Sequence, residues 1–337
     1  MKRILALLLT VALSSALFLS LYHFDNKYTK AAPQAVNGVL YVMEADWANT
    51  PVRFLREGWR YYANRLLTPE TLQQEDYRYL SLGEQTNFAM GDSLRSPHGS
   101  ASYALTLNLP QTEHTYAIDL PEIYSAYRFY VNDKLKLQMG EPNLEKYRDQ
   151  TQNRVVTFEA SGGVTLLLTV SDQSWIQSGL TRLPAFGEQP NIYTHRGLRF
   201  GISLIVVIAT LLLALFSFYL AIRTHNRNNS RLFFLLYLAT AVSASYSAVH
   251  GIMPLPIQPW QTIEVVSGHL VTLFVILLHN RICETNRYAQ GISGVLAGVV
   301  SVLGLFYGAF AAQLTQPVII AFSALAKSFK LLTAVYL

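Results

Sequence analysis

The chain has 337 residues, 51% hydrophobic and 14% charged, with a mean hydropathy of +0.23. That composition excludes a disordered polypeptide and an ordinary soluble enzyme, and fits a membrane protein that carries a soluble part. Residues 1–200 balance 19 Lys/Arg against 19 Asp/Glu while residues 201–337 hold 7 against 2, so the net charge of +5 sits entirely in the apolar half, where it reports topology and not nucleic-acid binding.

Residues 1–22 open with Lys2 and Arg3 and continue as an uncharged run from Ile4 to Leu21. This is the pattern of a secretory signal or an uncleaved signal anchor; Leu17, Phe18 and Leu19 carry the apolar run past Ser14 and Ala16, which favours the anchor. Residues 23–37, polar with a proline and small residues, suit a linker. From 38 to 195 the pattern changes to short alternating runs. Residues 101–109, 116–120, 126–131, 135–139, 155–158 and 164–170 have period two and are separated by turn residues, with Asn132-Asp133 as a tight hairpin turn. One short helix is expected around residues 60–67. The expected fold class is an all-β exported domain, an antiparallel sandwich, followed by an α-helical polytopic membrane domain over 196–337.

Within that second part, apolar segments lie near 202–222, 232–253, 263–279, 289–312 and 317–337. The first is about 31 Å long as a helix, which matches a bilayer core. Lys327 and Lys330 interrupt the last, which has no polar cap, so the chain is expected to be truncated inside its membrane domain. Arg223, Arg227 and Arg231 lie in one connection and Arg281 and Arg287 in the next but one, whereas the connection between them, PLPIQPWQT, is uncharged and offers Trp260 to an interface. These loops and Lys2 and Arg3 place the positive connections inside and residues 23–198 outside, against a weaker contrary vote from Arg196 and Arg199. The expected location is a bacterial inner membrane with a periplasmic N-terminal domain.

The segments LREGWRYYANRLLTPE (55–70), GSASYALTLNLP (99–110), IDLPEIYSAYRFYVNDKLKLQMGE (118–141) and LLLTVSDQSW (166–175), followed by a polytopic region, resemble the bacterial seven-transmembrane receptors with diverse intracellular signalling modules. The resemblance covers roughly residues 38 to 337. It implies a galactose-binding-like jelly roll ahead of seven spans and a cytoplasmic output module, commonly a histidine kinase or diguanylate cyclase. Asn132-Asp133 departs from the family's Asn-Gly turn, Ser81-Leu82-Gly83-Glu84 from its Pro-Gly-Trp stretch, and Asp172 from its usual asparagine.

No catalytic residues, metal ligands or cofactor are expected. Gly91-Asp92-Ser93-Leu94 matches the GDSL hydrolase block by letters, but none of the eight histidines has an aspartate three residues before it, so the block is read as a turn. Aromatic rings stack on the apolar faces of sugars, which makes Tyr124, Tyr127, Arg128, Glu141 and Trp175 the ligand-binding candidates. Alternation puts Tyr127 and Phe129 on one face and Arg128 and Tyr130 on the other, so these residues cannot all line one pocket. The intramembrane polar candidates are His250, Glu264 and His269, with His250 and Glu264 able to pair across adjacent helices. Gly294, Gly298, Gly304 and Gly308 are four apart in pairs and serve helix packing in the bundle or a homodimer. Expected partners are the lipid bilayer and a periplasmic small molecule, such as a carbohydrate, or a protein. The expected function is signal transduction by a receptor; the rivals are the input half of a kinase or cyclase and an envelope docking or transport component.

Overall fold

The computed structural model describes residues 2–25, 33–72, 75–223 and 227–337. The chain divides into two compact units, Met1–Pro33 and Gln34–Leu337. The first is α1 (Lys2–Phe24), whose stretch Ile4–Phe24 is one of six helices among the described residues long and apolar enough to cross a membrane.

The second unit opens with β1 (Val39–Tyr41), a one-turn helix α2 (Asp46–Asn49), β2 (Val52–Phe54), β3 (Trp59–Ala63) and β4 (Arg78–Leu80). There follow β5 (Gly99–Asn108), β6 (His114–Leu120), β7 (Ala126–Val131), β8 (Lys134–Met139), β9 (Arg154–Ala160), β10 (Gly163–Asp172) and β11 (Ala185–Glu188). One sheet runs β4-β3-β5-β10-β7-β8 with β1 parallel to β5; the other runs β2-β11-β6-β9. The antiparallel pairs are nested: β7 with β8, outside it β6 with β9 in the opposite sheet, and outside that β5 with β10.

Strand periodicity explains the core. Tyr103, Leu105 and Leu107 of β5, Leu166, Leu168 and Val170 of β10, and Tyr127 and Phe129 of β7 project from one sheet toward Tyr116, Ile118 and Leu120 of β6, Val156 and Phe158 of β9, and Phe186 of β11. The outer face of the large sheet is covered as well. A strap after β3 lays Leu67 and Leu72 on Tyr62, Ala104 and Leu167, and Ser102 fixes it by donating to the Arg65 carbonyl (2.7 Å) and accepting from the Leu67 amide (2.9 Å).

Three expectations change. Residues 60–67 form β3 and the start of the strap, not a helix, because Trp59 and Tyr61 alternate into the core. The linker expected over 23–37 is part of the fold at its C-terminal end: Ala35 is buried and Val36 pairs with Val39, while residues 26–32 lie outside the described residues. The helical part begins at Gln189, seven residues before the expected boundary, since β11 ends at Glu188. The hairpin turn is found where expected, with Asn132 at φ +53° and its side chain accepting from the Thr165 amide at 2.8 Å; a register shift between Phe129 and Tyr130 accompanies it.

The helices are α3 (Gln189–Arg223), α4 (Arg227–Ile252), α5 (Trp260–Ile282), α6 (Arg287–Ala309) and α7 (Gln316–Tyr336). All five are long and apolar enough to cross a membrane. At 35 residues α3 is about 52 Å long, well beyond a bilayer core of about 30 Å, so its first turns are free to pack on the sheets.

Gly140 closes the turn after β8 at φ +65°, and a Cβ there would lie 2.1 Å from the Arg148 carbonyl oxygen, beside the Glu141 and Arg148 bridge. Gly140→Ala is therefore expected to destabilise the chain by roughly 1–3 kcal/mol, measured by chemical denaturation in detergent.

Candidate functional site

Where the sheets meet the helices, apolar and polar contacts are both buried. Ile192 of α3 packs on Ala117 of β6 and Ala185 of β11, flanked by Val52, Phe54 and Val155. Arg196, one turn further on, donates to Asp119 Oδ1 (2.9 Å) and to the Asn153 carbonyl (2.8 Å). Asp119, at the apolar end of β6, is 7% exposed, and a carboxylate so placed requires a partner.

The sandwich loops supply a second contact. Tyr124, in the β6–β7 turn, and Trp175 and Ile176, after β10, form one apolar cluster with Tyr246 of α4, Ile257 of the α4–α5 connection, Ala311 of the α6–α7 connection and Ile319 of α7. Backbone bonds frame it: Thr151 and Leu255 exchange N–H···O bonds (2.9 and 3.2 Å), and the Asn153 amide donates to the His250 carbonyl (3.1 Å). Gln152 caps the Ile252 carbonyl (3.1 Å), and Asn87 donates to Gln316 Oε1 (2.9 Å) at the start of α7 and to the Ile176 carbonyl (3.2 Å). The open carbonyls at the C-terminal end of α4 are thus met by the sandwich.

Beside this cluster Arg182 contacts the buried Glu122 carboxylate and donates to the Tyr124 hydroxyl (2.8 Å), while Asn153 Nδ2 donates to Glu122 Oε1 (3.2 Å). Burial, reinforced by Glu122, pushes the Tyr124 phenol up, so it stays neutral. Burial opposes the Arg182 charge, but Tyr124, Glu122 and Glu264 outweigh it and raise its pKa. Glu264 of α5 accepts from Gln261 (2.7 Å) and lies within electrostatic reach of Glu122 and Arg182. One arginine thus pairs with a carboxylate of the sandwich and feels the charge of a carboxylate of the bundle.

A third group sits at the end of β10. Asp172 is fully buried; its Oδ2 is 2.8 Å from His98 Nδ1, and Oδ1 accepts from Tyr147 (3.3 Å) and from the Ser174 and Trp175 amides (3.4 and 3.3 Å). This is an aspartate turn that aims Trp175 at the helices. Burial pushes the Asp172 carboxyl up to about 6, against the hydrogen bond and charge of His98, which pull it down. Burial and the neighbouring Asp172 likewise raise Tyr147.

The five ligand candidates are dispersed. Tyr127 lies in the core between the sheets at 0% exposure, on the face shared with Phe129. Arg128 and Glu141 form an ion pair (2.7 Å) with Gln138 alongside, at the surface. Tyr124 and Trp175 meet at the junction, both 1% exposed. The pairing of His250 with Glu264 does not form: His250 Nδ1 is 2.9 Å from the Tyr246 carbonyl with its ring 3.9 Å from the Tyr246 ring, and Glu264 accepts from Gln261. His269 packs between helices, with Gly304 of α6 on one side and Phe322 of α7 5.9 Å away.

Gly304 and Gly308 serve the α5–α6 contact, where added Cβ atoms would lie 2.5 Å from His269 and 2.9 Å from Thr262. Gly294 touches Leu277 more loosely, and Gly298 has open space beside it. Residues 91–94 form an exposed turn in which Asp92 accepts from the Leu94 amide and faces Arg95. Glu122, Asp119, Arg182, Arg196, His98 and Tyr147 carried no motif; the readable trace was Asp172, standing where the resembled family has asparagine.

No family model and no curated protein matches the chain. Solved structures similar to it include a GH2 beta-galacturonidase from Eisenbergiella tayi bound to galacturonate (11% identity, TM-score 0.29), covering 41% of this chain and 24% of that one. Others are a putative beta-galactosidase from Bacteroides fragilis (13%, 0.30, 40% and 22%) and a Faecalibacterium prausnitzii beta-glucuronidase (12%, 0.28, 42% and 32%). The chain thus spans a third or less of the length of these enzymes.

Two outcomes follow. Gly304→Ala forces the His269 ring or α6 to move and is expected to cost about 1–3 kcal/mol, read as a lower thermal midpoint in detergent. The second concerns Asp172, whose carboxyl titrates near 3.8 when unfolded and about 6 when folded, so the folded chain takes up the proton first. Its contribution to stability is therefore greatest below about pH 4, falls as pH rises to about 6, and is flat above. Asp172→Asn should remove roughly 2–3 kcal/mol of that decline, measured by denaturation between pH 4 and 7.5.

Proposed function

We propose that the chain is a signal-transducing receptor of a bacterial inner membrane. In this reading a periplasmic galactose-binding-like jelly roll senses a small molecule such as a carbohydrate, or a protein partner, and the helices relay the change to an output module. The observation that carries the reading is the strand-to-helix continuity at Glu188 and Gln189, backed by Ile192 and Arg196 on the small sheet. A helix rooted in a sheet moves with that sheet. The nested pairing of β5 with β10, β6 with β9 and β7 with β8 supports the jelly roll. The arginines shared by the α3–α4 and α5–α6 connections support the orientation. The signalling role, and a histidine kinase or diguanylate cyclase as output, rest on the family resemblance, because architecture does not declare function.

The test uses the exposed Cys283, just past α5, as the attachment point for an environment-sensitive fluorophore in the full chain in nanodiscs. In a panel of mono- and oligosaccharides, at least one is expected to raise the thermal midpoint and shift the fluorescence. A Gly-Ser-Gly-Ser insertion between Glu188 and Gln189 should leave sugar binding intact and abolish the fluorescence response. Binding that never reaches Cys283 in the wild-type chain would sink the receptor reading. Stable capture of an envelope protein with no sugar response would favour the docking rival.

A further inference from the structure

The segment 173–184 joins the apolar cluster, the Arg182 group and the Asp172 turn. Trp175 and Ile176 enter the apolar cluster against α4 and α7, Ser178 donates to the Pro97 carbonyl (2.6 Å) and accepts from the Phe88 amide (3.0 Å), and Arg182 reaches Glu122 and Tyr124. Its first turn is fastened chiefly by Asp172, with the Tyr147 hydroxyl 3.1 Å from Ser174 Oγ beside it. Asp172 binds the Ser174 and Trp175 amides from within the segment, His98 from the loop before β5 and Tyr147 from the loop after β8.

We propose that Asp172, held by His98 and Tyr147, is a proton-operated latch that keeps the 173–184 segment docked on the helices when protonated and loosens it when ionised. Its place in signalling rests on the receptor reading, in which acid becomes a stimulus that tightens the coupling of sandwich to bundle.

The direction follows from linkage. In the docked segment Asp172 is 0% exposed, and an ionised carboxylate there has given up its hydration. Undocking returns it to water, where it titrates near its ordinary value, whereas the docked carboxyl holds its proton up to about 6. The proton binds the docked form more tightly, so acid favours docking. Each neighbour fits this arrangement. His98 is the basic side chain in contact with Asp172, with Nδ1 2.8 Å from Oδ2, and it favours ionisation without restoring an ordinary titration. Tyr147 is neutral and donates to Asp172; Asp149 acts on Tyr147 and adds negative charge on that side. A protonated Asp172 still accepts from the Trp175 amide through its carbonyl oxygen, so the turn survives protonation.

Hydrogen–deuterium exchange of the full chain in nanodiscs, with intrinsic rates corrected for pH, reads the latch directly. Peptides covering 173–184 are expected to exchange on the order of tenfold faster at pH 7.5 than at pH 5. Asp172→Asn, a near-isosteric stand-in for the neutral acid, should hold them at the slow rate at both pH values. His98→Gln should move the midpoint of the transition upward, since the ring that favours ionisation is gone. Equal exchange of the wild-type segment at the two pH values overturns the proposal without recourse to any variant, and so does a pH response that persists in Asp172→Asn. Exchange is read without any output, so this result is independent of whether the chain is a receptor.

Discussion

Between Glu188 and Gln189 the backbone passes from β11 into α3 without an intervening loop, and the rest of the arrangement is organised around that junction. A flexible connection would let sandwich and helices tumble independently. Here the edge contacts of β11 with β2 and β6, and the seating of Ile192 and Arg196 on that sheet, fix the direction in which α3 leaves. Once α3 is set, α4 packs along it and brings its carbonyl end back under the β-loops, where Gln152 and Asn153 supply the missing donors.

A surface that buries so many polar groups requires each to be matched. Glu122, Asp119 and Asp172 are all less than a tenth exposed, and each is met by a cation, a histidine or backbone amides. Such matching adds little net stability compared with an apolar interface of the same shape, but it punishes misalignment heavily, because a displaced partner leaves a buried charge alone. The apolar cluster of Tyr124, Trp175 and Ile257 supplies adhesion, and the polar groups fix the register. Holding sandwich and helices in one defined arrangement calls for both.

Much of the architecture was legible in the sequence. Period-two alternation located β5, β6, β7, β8, β9 and β10 to within two residues at every end, since each has one face in the core. The helices were equally plain because an uncharged run of some 20 residues has few other uses. The short strands β1, β2, β4 and β11 escaped because three or four residues carry no period, and β3 because its aromatic run has both faces covered once the strap folds over Tyr62. The site was less legible. Their aromatic rings make Tyr124 and Trp175 candidate sugar platforms in the sequence, but both are closed off by helices far away in sequence, a contact no local pattern encodes.

By itself the sequence determined where strands and spans lie, which faces of the strands are apolar, and that a β-rich part precedes a helical one. These are properties of short windows, set by side-chain periodicity and by the length of uncharged runs. Only the tertiary structure decided that Arg182 pairs with Glu122 and Tyr124, that His250 turns to Tyr246 instead of Glu264, and that His98 meets Asp172 across 74 residues of chain. The physical reason is that a charge's partner is chosen by three-dimensional proximity under the penalty of desolvation, and that proximity does not exist until the two sheets have closed and α3 has set the helices beneath them.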